Sequence, residues 1–445
     1  MPTEADLVRS IDAEALAEWV PAQRWFASKS REVHIGLLEV LVLNDRPPLG
    51  LALVEARFAA GTHDLYQLLV GPGDLEALTT PAPAEALAKL LTSEARVQGE
   101  HGTIAFHWSG EGLDSARVRV MGAEQSNTSI VIDESVVLKV FRRLEPGDNP
   151  ELEMTRFLTT NGFENVPALR GWYALEGELL DATLGVAQQF VHDGRDGWEL
   201  VLDALANDPD RVLGDLRELG EVIGQMHTVL GSDATDPDFA PEEPGEEALA
   251  LLTATIDEEI ERVFFDLPEG LEDIAPIAGR GEEVRDRLQL MSHVVAGGRL
   301  IRHHGDLHLG QTLRAGGRDP IWMVLDFEGE PARALIDRRR RRSPLRDVAG
   351  MLRSFAYAAS ATRILRGTEA PPEWEARARA EFLDGYIAEV DPNLLPASEA
   401  GIRQLLSIFE LEKAVYELRY ELNNRPDWVP IPVAGIARLL EEPLT

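Results

Sequence analysis

There is no cysteine among the 445 residues, which excludes disulfides, thiolate nucleophiles and Cys-ligated zinc. Basic residues are scarce, 43 Lys and Arg against 77 Asp and Glu, for a formal charge of −34. Nucleic acid and anionic membrane both need a positive surface and are excluded as partners. A small nucleotide in a locally positive pocket is not. Long apolar runs are also missing, and none approaches the roughly 20 residues that span a bilayer. The N-terminus, Met1-Pro2-Thr3-Glu4-Ala5-Asp6, is acidic and has no signal-peptide core, so a cytoplasmic protein is expected. Apolar residues nevertheless make up 44% of the chain, enough for full cores, and the length predicts two or three lobes.

Three regions follow from the patterning. Residues 1–95 open with a helix over Ala13–Val20, then Gln23-Arg24-Trp25-Phe26. Strand-like runs at Leu37–Leu43, Leu51–Phe58 and Leu65–Val70 are separated by turn residues, and a helix is expected over 84–98. Residues 96–193 carry strand candidates at Thr103–Trp108, Val118–Val120, Ser129–Ile132, Val136–Phe141, Ala168–Ala174 and Ala182–Val191, with a helix after Pro150. Residues 194–445 read as mostly helical, with 3.6-residue periodicity over Leu216–Leu230, Ala248–Phe265, Val284–Val295, Arg346–Tyr357, Trp374–Val390 and Ile402–Asn423. Arg338–Arg342 is read as a solvated loop.

The chemistry concentrates in His304-Gly305-Asp306-Leu307-His308-Leu309-Gly310-Gln311, followed by Asp326-Phe327-Glu328 at the end of an apolar run. Phosphoryl transfer from ATP needs one carboxylate to orient and deprotonate a hydroxyl, and an amide and a second carboxylate to hold Mg²⁺ on the phosphates. Asp306 is the expected base, and Gln311 and Asp326 the expected metal ligands. Glu328 is a further metal ligand or a surface charge. His304 is expected to support the loop, and His308 to touch substrate or satisfy backbone. Lys139, isolated in the apolar strand Val136–Phe141, fits the α/β-phosphates. Its carboxylate partner is Glu151, by its inward face, or Glu153. Ser126, Asn127, Thr128 and Ser129, between two strands, have hydroxyls and N–H groups suited to covering phosphates. Asp347 opens a helix, as a cap or as a brace for the catalytic loop. On helix 409–423, Glu412, Tyr416 and Arg419 share one face. With Tyr420 and Trp428 they suit a carbohydrate, whose hydroxyls need polar partners and whose ring faces stack on aromatics.

These segments follow the protein-kinase logic of H-R-D-x-x-x-x-N and D-F-G, here H-G-D-x-x-x-x-Q and D-F-E. Together with Gln23-Arg24-Trp25-Phe26, Glu124-Gln125-Ser126-Asn127, Leu138-Lys139-Val140-Phe141, Ser343-Pro344-Leu345-Arg346-Asp347 and Asn423-Asn424-Arg425-Pro426, they resemble the maltokinases, within the aminoglycoside-phosphotransferase-like kinases. The resemblance implies an α+β, bilobal protein-kinase-like fold: an antiparallel-sheet N-lobe, a mostly helical C-lobe and an extra N-terminal α/β cap. It implies ATP and Mg²⁺ as cofactors and phosphorylation of maltose to maltose 1-phosphate for α-glucan synthesis. Glucosamine or another amino sugar is the alternative acceptor, and a non-catalytic nucleotide-binding module the third reading. Backbone around Gln189 and Val191 is expected to meet adenine, glutamate Glu153 to pair with Lys139, and the protein to be a monomer or homodimer.

Overall fold

The computed structural model describes residues 11–26, 31–100, 102–110, 117–121, 127–177, 180–268, 270–292, 298–330 and 333–441. The chain divides into two compact units, 1–160 with 167–192, and 161–166 with 193–445.

In the first unit, β1 (Val33–Asp45), β2 (Pro48–Phe58) and β3 (His63–Val70) form an antiparallel meander. Alternation along β2 sends Ala52, Val54 and Ala56 to one face, where they pack with Leu16 and Val20 of α1 (Ala13–Ala22) and with Phe26. Leu49, Leu51 and Leu53 face the other way, onto α2 (Pro81–Thr92) and the second sheet. Both faces of this cap sheet are therefore buried, which is why its strands read as nearly continuous apolar runs.

The second sheet comprises β4 (Arg96–Gln98), β5 (Gly102–Trp108), β6 (Val118–Val120), β7 (Asn127–Ile132), β8 (Val136–Phe141), β10 (Leu169–Gly177) and β11 (Ala182–Gln189). Its order is β4-β5-β10-β11-β8-β7-β6. The intervening β9 (Arg143–Leu144) instead joins the cap sheet beside β3, and α3 (Pro150–Thr160) follows. The helix expected over 84–98 stops at Thr92. Glu94 takes a left-handed turn, φ 51°, and residues 96–98 pair with β5 as an edge strand.

The second unit is helical: α4 (Gly197–Asn207), α5 (Arg211–Leu230), α6 (Glu246–Phe265), α7 (Gly281–Ser292), α8 (Leu335–Arg338), α9 (Leu345–Arg366), α10 (Trp374–Glu389), α11 (Glu399–Asn424) and α12 (Pro430–Glu441). A small sheet of β12 (Arg195–Asp196), β13 (Thr312–Ala315) and β14 (Ile321–Val324) accompanies them. Helix α9 is the core element, with Val348, Met351, Leu352 and Phe355 fully buried. Residues 293–295 of one expected helix lie outside the described residues.

The arginine run is not a free solvated loop. Arg338 closes α8 and donates to the carbonyl of Glu328 at 2.9 Å. Arg341 binds Glu242 at 2.7 Å, and the Arg342 backbone exchanges two 2.9 Å hydrogen bonds with Ile301. Backbone carbonyls, of Glu328 and Pro237, and the Glu242 carboxylate are what hold the Arg338 and Arg341 guanidinium groups. Among the described residues, no helix is long and apolar enough to cross a membrane.

Candidate active site

The loop 304–311 is held from behind by α9. Asp347, in the first turn of that helix, is buried and accepts hydrogen bonds from the N–H groups of His304 (2.7 Å) and Gly305 (2.9 Å). His227 Nε2 lies 3.2 Å from the same carboxylate, and its Nδ1 is 3.0 Å from the Tyr386 hydroxyl. Burial opposes ionisation of Asp347, but its electrostatic interaction with His303 and the hydrogen bond to His227 hold its carboxyl well below the usual range. Gly305 sits at φ +86°, where a side chain would be strained, and turns the chain toward Asp306. A Cβ on Gly350 would come within 2.6 Å of the Leu307 carbonyl, so α9 approaches the loop only because that position is glycine.

The two loop histidines are structural in what they touch. His304 Nε2 lies 2.8 Å from the carbonyl of Leu325, an obligate acceptor, so the proton is on Nε2. Its Nδ1 then accepts from the Asp306 N–H at 3.3 Å, and Phe327 packs on the ring at 4.9 Å. His308 Nδ1 accepts from the Gly310 N–H at 3.1 Å, capping the short 3₁₀ turn Leu309–Gln311. Burial lowers the His308 pKa, so the ring is neutral at pH 7.

The hairpin of β13 and β14 brings the two expected metal ligands together. Thr312 pairs with Val324, the Leu325 N–H donates to the Gln311 carbonyl at 2.9 Å, and Gln311 Nε2 reaches Asp326 Oδ2 at 3.0 Å. Asp326 has φ 63°, a left-handed conformation that Asp tolerates better than most residues. Glu328 is half-buried two residues on.

Asp306 lines a pocket with Glu330, Arg333, Arg346, Glu412, Lys413 and Tyr416. Charges alternate around it. Lys413 Nζ is 3.0 Å from Asp306 and 3.4 Å from Glu330. Glu330 also binds Arg333 and lies 3.6 Å from Arg346, while Glu412 is 3.3 Å from Arg333 and 3.0 Å from Arg346. Burial would raise the Glu330 pKa, but Lys413, Arg346 and Arg333 take it down to about 2. Burial likewise opposes the Lys413 charge, and Asp306 and Glu330 outweigh it, raising its pKa.

Sequence reading missed Lys413, Glu330, Arg333 and Arg346 as site residues. The signal for Lys413 was present: Phe409, Glu412, Lys413 and Tyr416 fall at i, i+3, i+4 and i+7 on α11. The remaining carbohydrate candidates stand outside this lining. Arg419 pairs with Glu259, and its guanidinium carbon sits 5.6 Å from the Tyr416 ring centre. Tyr420 is 45% exposed under the guanidinium of Arg425. Trp428 stacks on Tyr357 at 6.2 Å.

In the first unit, Lys139 lies on β8 in register with Ser129 of β7 and Val186 of β11. Glu151 and Glu153 are both buried on α3, and Glu151 accepts from Gln188 at 2.7 Å. Asn127, Thr128 and Ser129 belong to the strand β7, and the Thr128 hydroxyl accepts from Arg142 at 2.6 Å. Ser126 lies outside the described residues. Gln189 ends β11 with its N–H given to the Ala168 carbonyl at 2.9 Å, and Val191 is half-buried two residues beyond.

His303 carries a prediction. Its Nδ1 is buried with no hydrogen-bond partner, and burial takes its pKa down to about 3 from 6.5. The unfolded chain therefore takes up a proton there below pH 6.5 while the folded chain does not. Stability is full above pH 6.5 and is lost as pH falls toward 3, at up to about 1.4 kcal/mol per pH unit for one proton. Urea midpoints between pH 7 and 5 are expected to fall for the native chain and to fall less for His303→Leu. An unchanged slope in the variant would show that His303 is not the group responsible.

Residues 19–101 match the maltokinase N-terminal cap domain family. Glucosamine kinase of Streptacidiphilus jiangxiensis is 28% identical over 384 residues, covering 82% of this chain and 78% of that protein. Glucosamine kinase of Mycolicibacterium smegmatis is 26% identical, covering 84% and 90%. Among solved structures, glucosamine kinase in complex with glucosamine, ADP and inorganic phosphate superposes with a TM-score of 0.68 at 23% identity, over 97% of this chain and 100% of that one. The chain thus carries a maltokinase N-terminal cap domain over residues 19–101, and its fold is that of the solved glucosamine kinase.

Proposed function

We propose that the protein is an ATP-dependent sugar kinase whose preferred acceptor is the anomeric hydroxyl of maltose, giving maltose 1-phosphate for α-glucan synthesis. The hydroxyl proton passes to Asp306, the sugar oxygen bonds to the γ-phosphorus, and the bond to the β–γ bridging oxygen breaks to release ADP. The observation that carries the acceptor is the pairing in the Asp306 pocket. Asp306, Glu330 and Glu412 each have an ammonium or guanidinium partner already. An amino sugar brings a positive charge that wants an unpaired carboxylate, and here it would meet Lys413, Arg333 and Arg346. A neutral sugar asks only for hydrogen bonds, which the outer faces of Glu412, Arg346 and Tyr416 supply.

Gln311 and Asp326 suit Mg²⁺. Both offer hard oxygen donors, and donation by Gln311 Nε2 to Asp326 leaves the amide oxygen for a cation. Among the described residues no group of three or more His, Asp or Glu could hold a metal. Bound by Gln311 and Asp326, with Glu328 as a further or water-mediated ligand, Mg²⁺ would neutralise charge on the transferring phosphoryl group. Lys139 holds the α/β-phosphates, with Glu153 or Glu151 as its partner. Ser126, Asn127, Thr128 and Ser129 cover them, and backbone near Gln189 and Val191 meets adenine.

The amino-sugar reading has independent support in the relatives, which are glucosamine kinases. Measuring kcat/KM for maltose and glucosamine by ADP release decides between the two. Maltose is expected to win by at least tenfold, and the opposite ranking would transfer the assignment to glucosamine.

A further inference from the structure

The strand that carries Lys139 does not end in the kinase sheet. After Phe141 the chain runs through Arg142 into β9, which pairs with β3 of the cap as Leu65 with Leu144 and Tyr66 with Arg143. At the junction sits Gln67, a fully buried amide between Tyr66 and Leu68 of β3. Its Nε2 donates to the carbonyl of Phe141 at 2.5 Å and to that of Leu184 on β11. Its Oε1 accepts from the Tyr173 hydroxyl at 3.2 Å, and its backbone N–H donates to the Arg142 carbonyl at 2.9 Å. One cap residue thus ties together β8, β10 and β11.

Arg142 makes a second tie. Its side chain is 2% exposed. It binds Glu76 of the cap segment at 2.6 Å and donates to Thr128 on β7 at 2.6 Å, with the Trp25 ring centre 5.7 Å from its guanidinium carbon. Thr128 and Val140 are register partners, as are Ser129 and Lys139. The cap therefore grips β7 and β8 within one or two residues of Lys139.

We propose that the cap is a positioning element for the nucleotide, acting through Gln67 and Arg142 to fix the strand register around Lys139. This rests on the reading of Lys139 as a phosphate-binding residue. Buried amide and guanidinium groups with several partners each set strand position to a fraction of an ångström, because shifting the strand would leave them unpaired. A cap that merely covered the sheet would need only the apolar contacts already present on that face.

The test separates positioning from stability. Gln67→Leu and Arg142→Met are expected to raise KM for ATP by about ten- to a hundredfold, with KM for the acceptor sugar within about twofold. Arg142→Lys is expected to recover part of the loss. Tyr173→Phe, which removes one donor to Gln67 and keeps the ring, is a milder variant whose KM for ATP is expected to rise less. It carries the test with Arg142→Lys if the harsher variants do not fold. Lys139→Met serves as the control. If it leaves KM for ATP unchanged, the phosphate-binding reading fails. If it raises KM for ATP while the folded cap variants do not, the cap inference fails and the reading stands. Equal rises in KM for both substrates would also overturn the inference.

Discussion

Replacing Asp306 by Asn is expected to lower kcat by about 10²–10⁴-fold, the usual contribution of a positioned general base, with ADP affinity kept within a few-fold. The amide is the same size but cannot take the proton of the acceptor hydroxyl. It also loses the charge that draws Lys413 Nζ to 3.0 Å. Lys413 keeps Glu330 at 3.4 Å, so the pocket does not collapse with the substitution. Lys413→Met gives the complementary measurement. It leaves Asp306 in place but frees it from its partner, so a smaller fall, of about tenfold, is expected. Steady-state kinetics on both variants, with calorimetric ADP titration, checks the pair. A kcat for Asp306→Asn within tenfold of the native enzyme would remove Asp306 from the role of base.

What the sequence discloses and what it hides divides along the range of the interactions. The strands β6 and β8 are legible residue for residue, because alternation and flanking turns are local signals. The adjacency of Gln311 and Asp326 is nearly local too, since a hairpin of two four-residue strands brings them together. Helix α12 was not anticipated, because its first turn carries Pro430 and Pro432, which read as breakers although proline is tolerated there. The ion network around Asp306 joins residue 413 to residues 306 and 330, and residue 412 to residues 333 and 346. No periodicity encodes such pairs, and only the fold puts them face to face. Trp428 stands out in the sequence for its cost of exposure, and the fold adds what no local signal announces, a stack on Tyr357 and the Arg425 guanidinium 4.7 Å from its ring centre. Gln67 left a readable trace, as a lone amide between Tyr66 and Leu68, whose meaning needed the three carbonyls around it.

The largest combined effect on folding and activity is expected from Asp347. Its two oxygens accept from two backbone N–H groups of the 304–311 loop and contact His227, all in a buried setting. Asp347→Ala leaves these donors without acceptors, at a cost of about 3–5 kcal/mol for breaking a buried charged cluster from one side. For a unit of this size that is a fall of on the order of 10 °C in melting temperature. Asp347→Asn is the sharper variant, because shape is preserved. One of its two positions becomes an NH₂ that must face another donor, either the Gly305 N–H or the His304 N–H with His227. The loop then shifts to relieve that contact, carrying Asp306 with it, and kcat is expected to fall by about a hundredfold or more, the scale set by a misplacement of roughly 1 Å. Circular-dichroism melts and steady-state kinetics on the two variants measure both parts. If Asp347→Asn melts several degrees lower yet turns over at the native rate, the carboxylate serves stability alone and the loop does not depend on it for its catalytic shape.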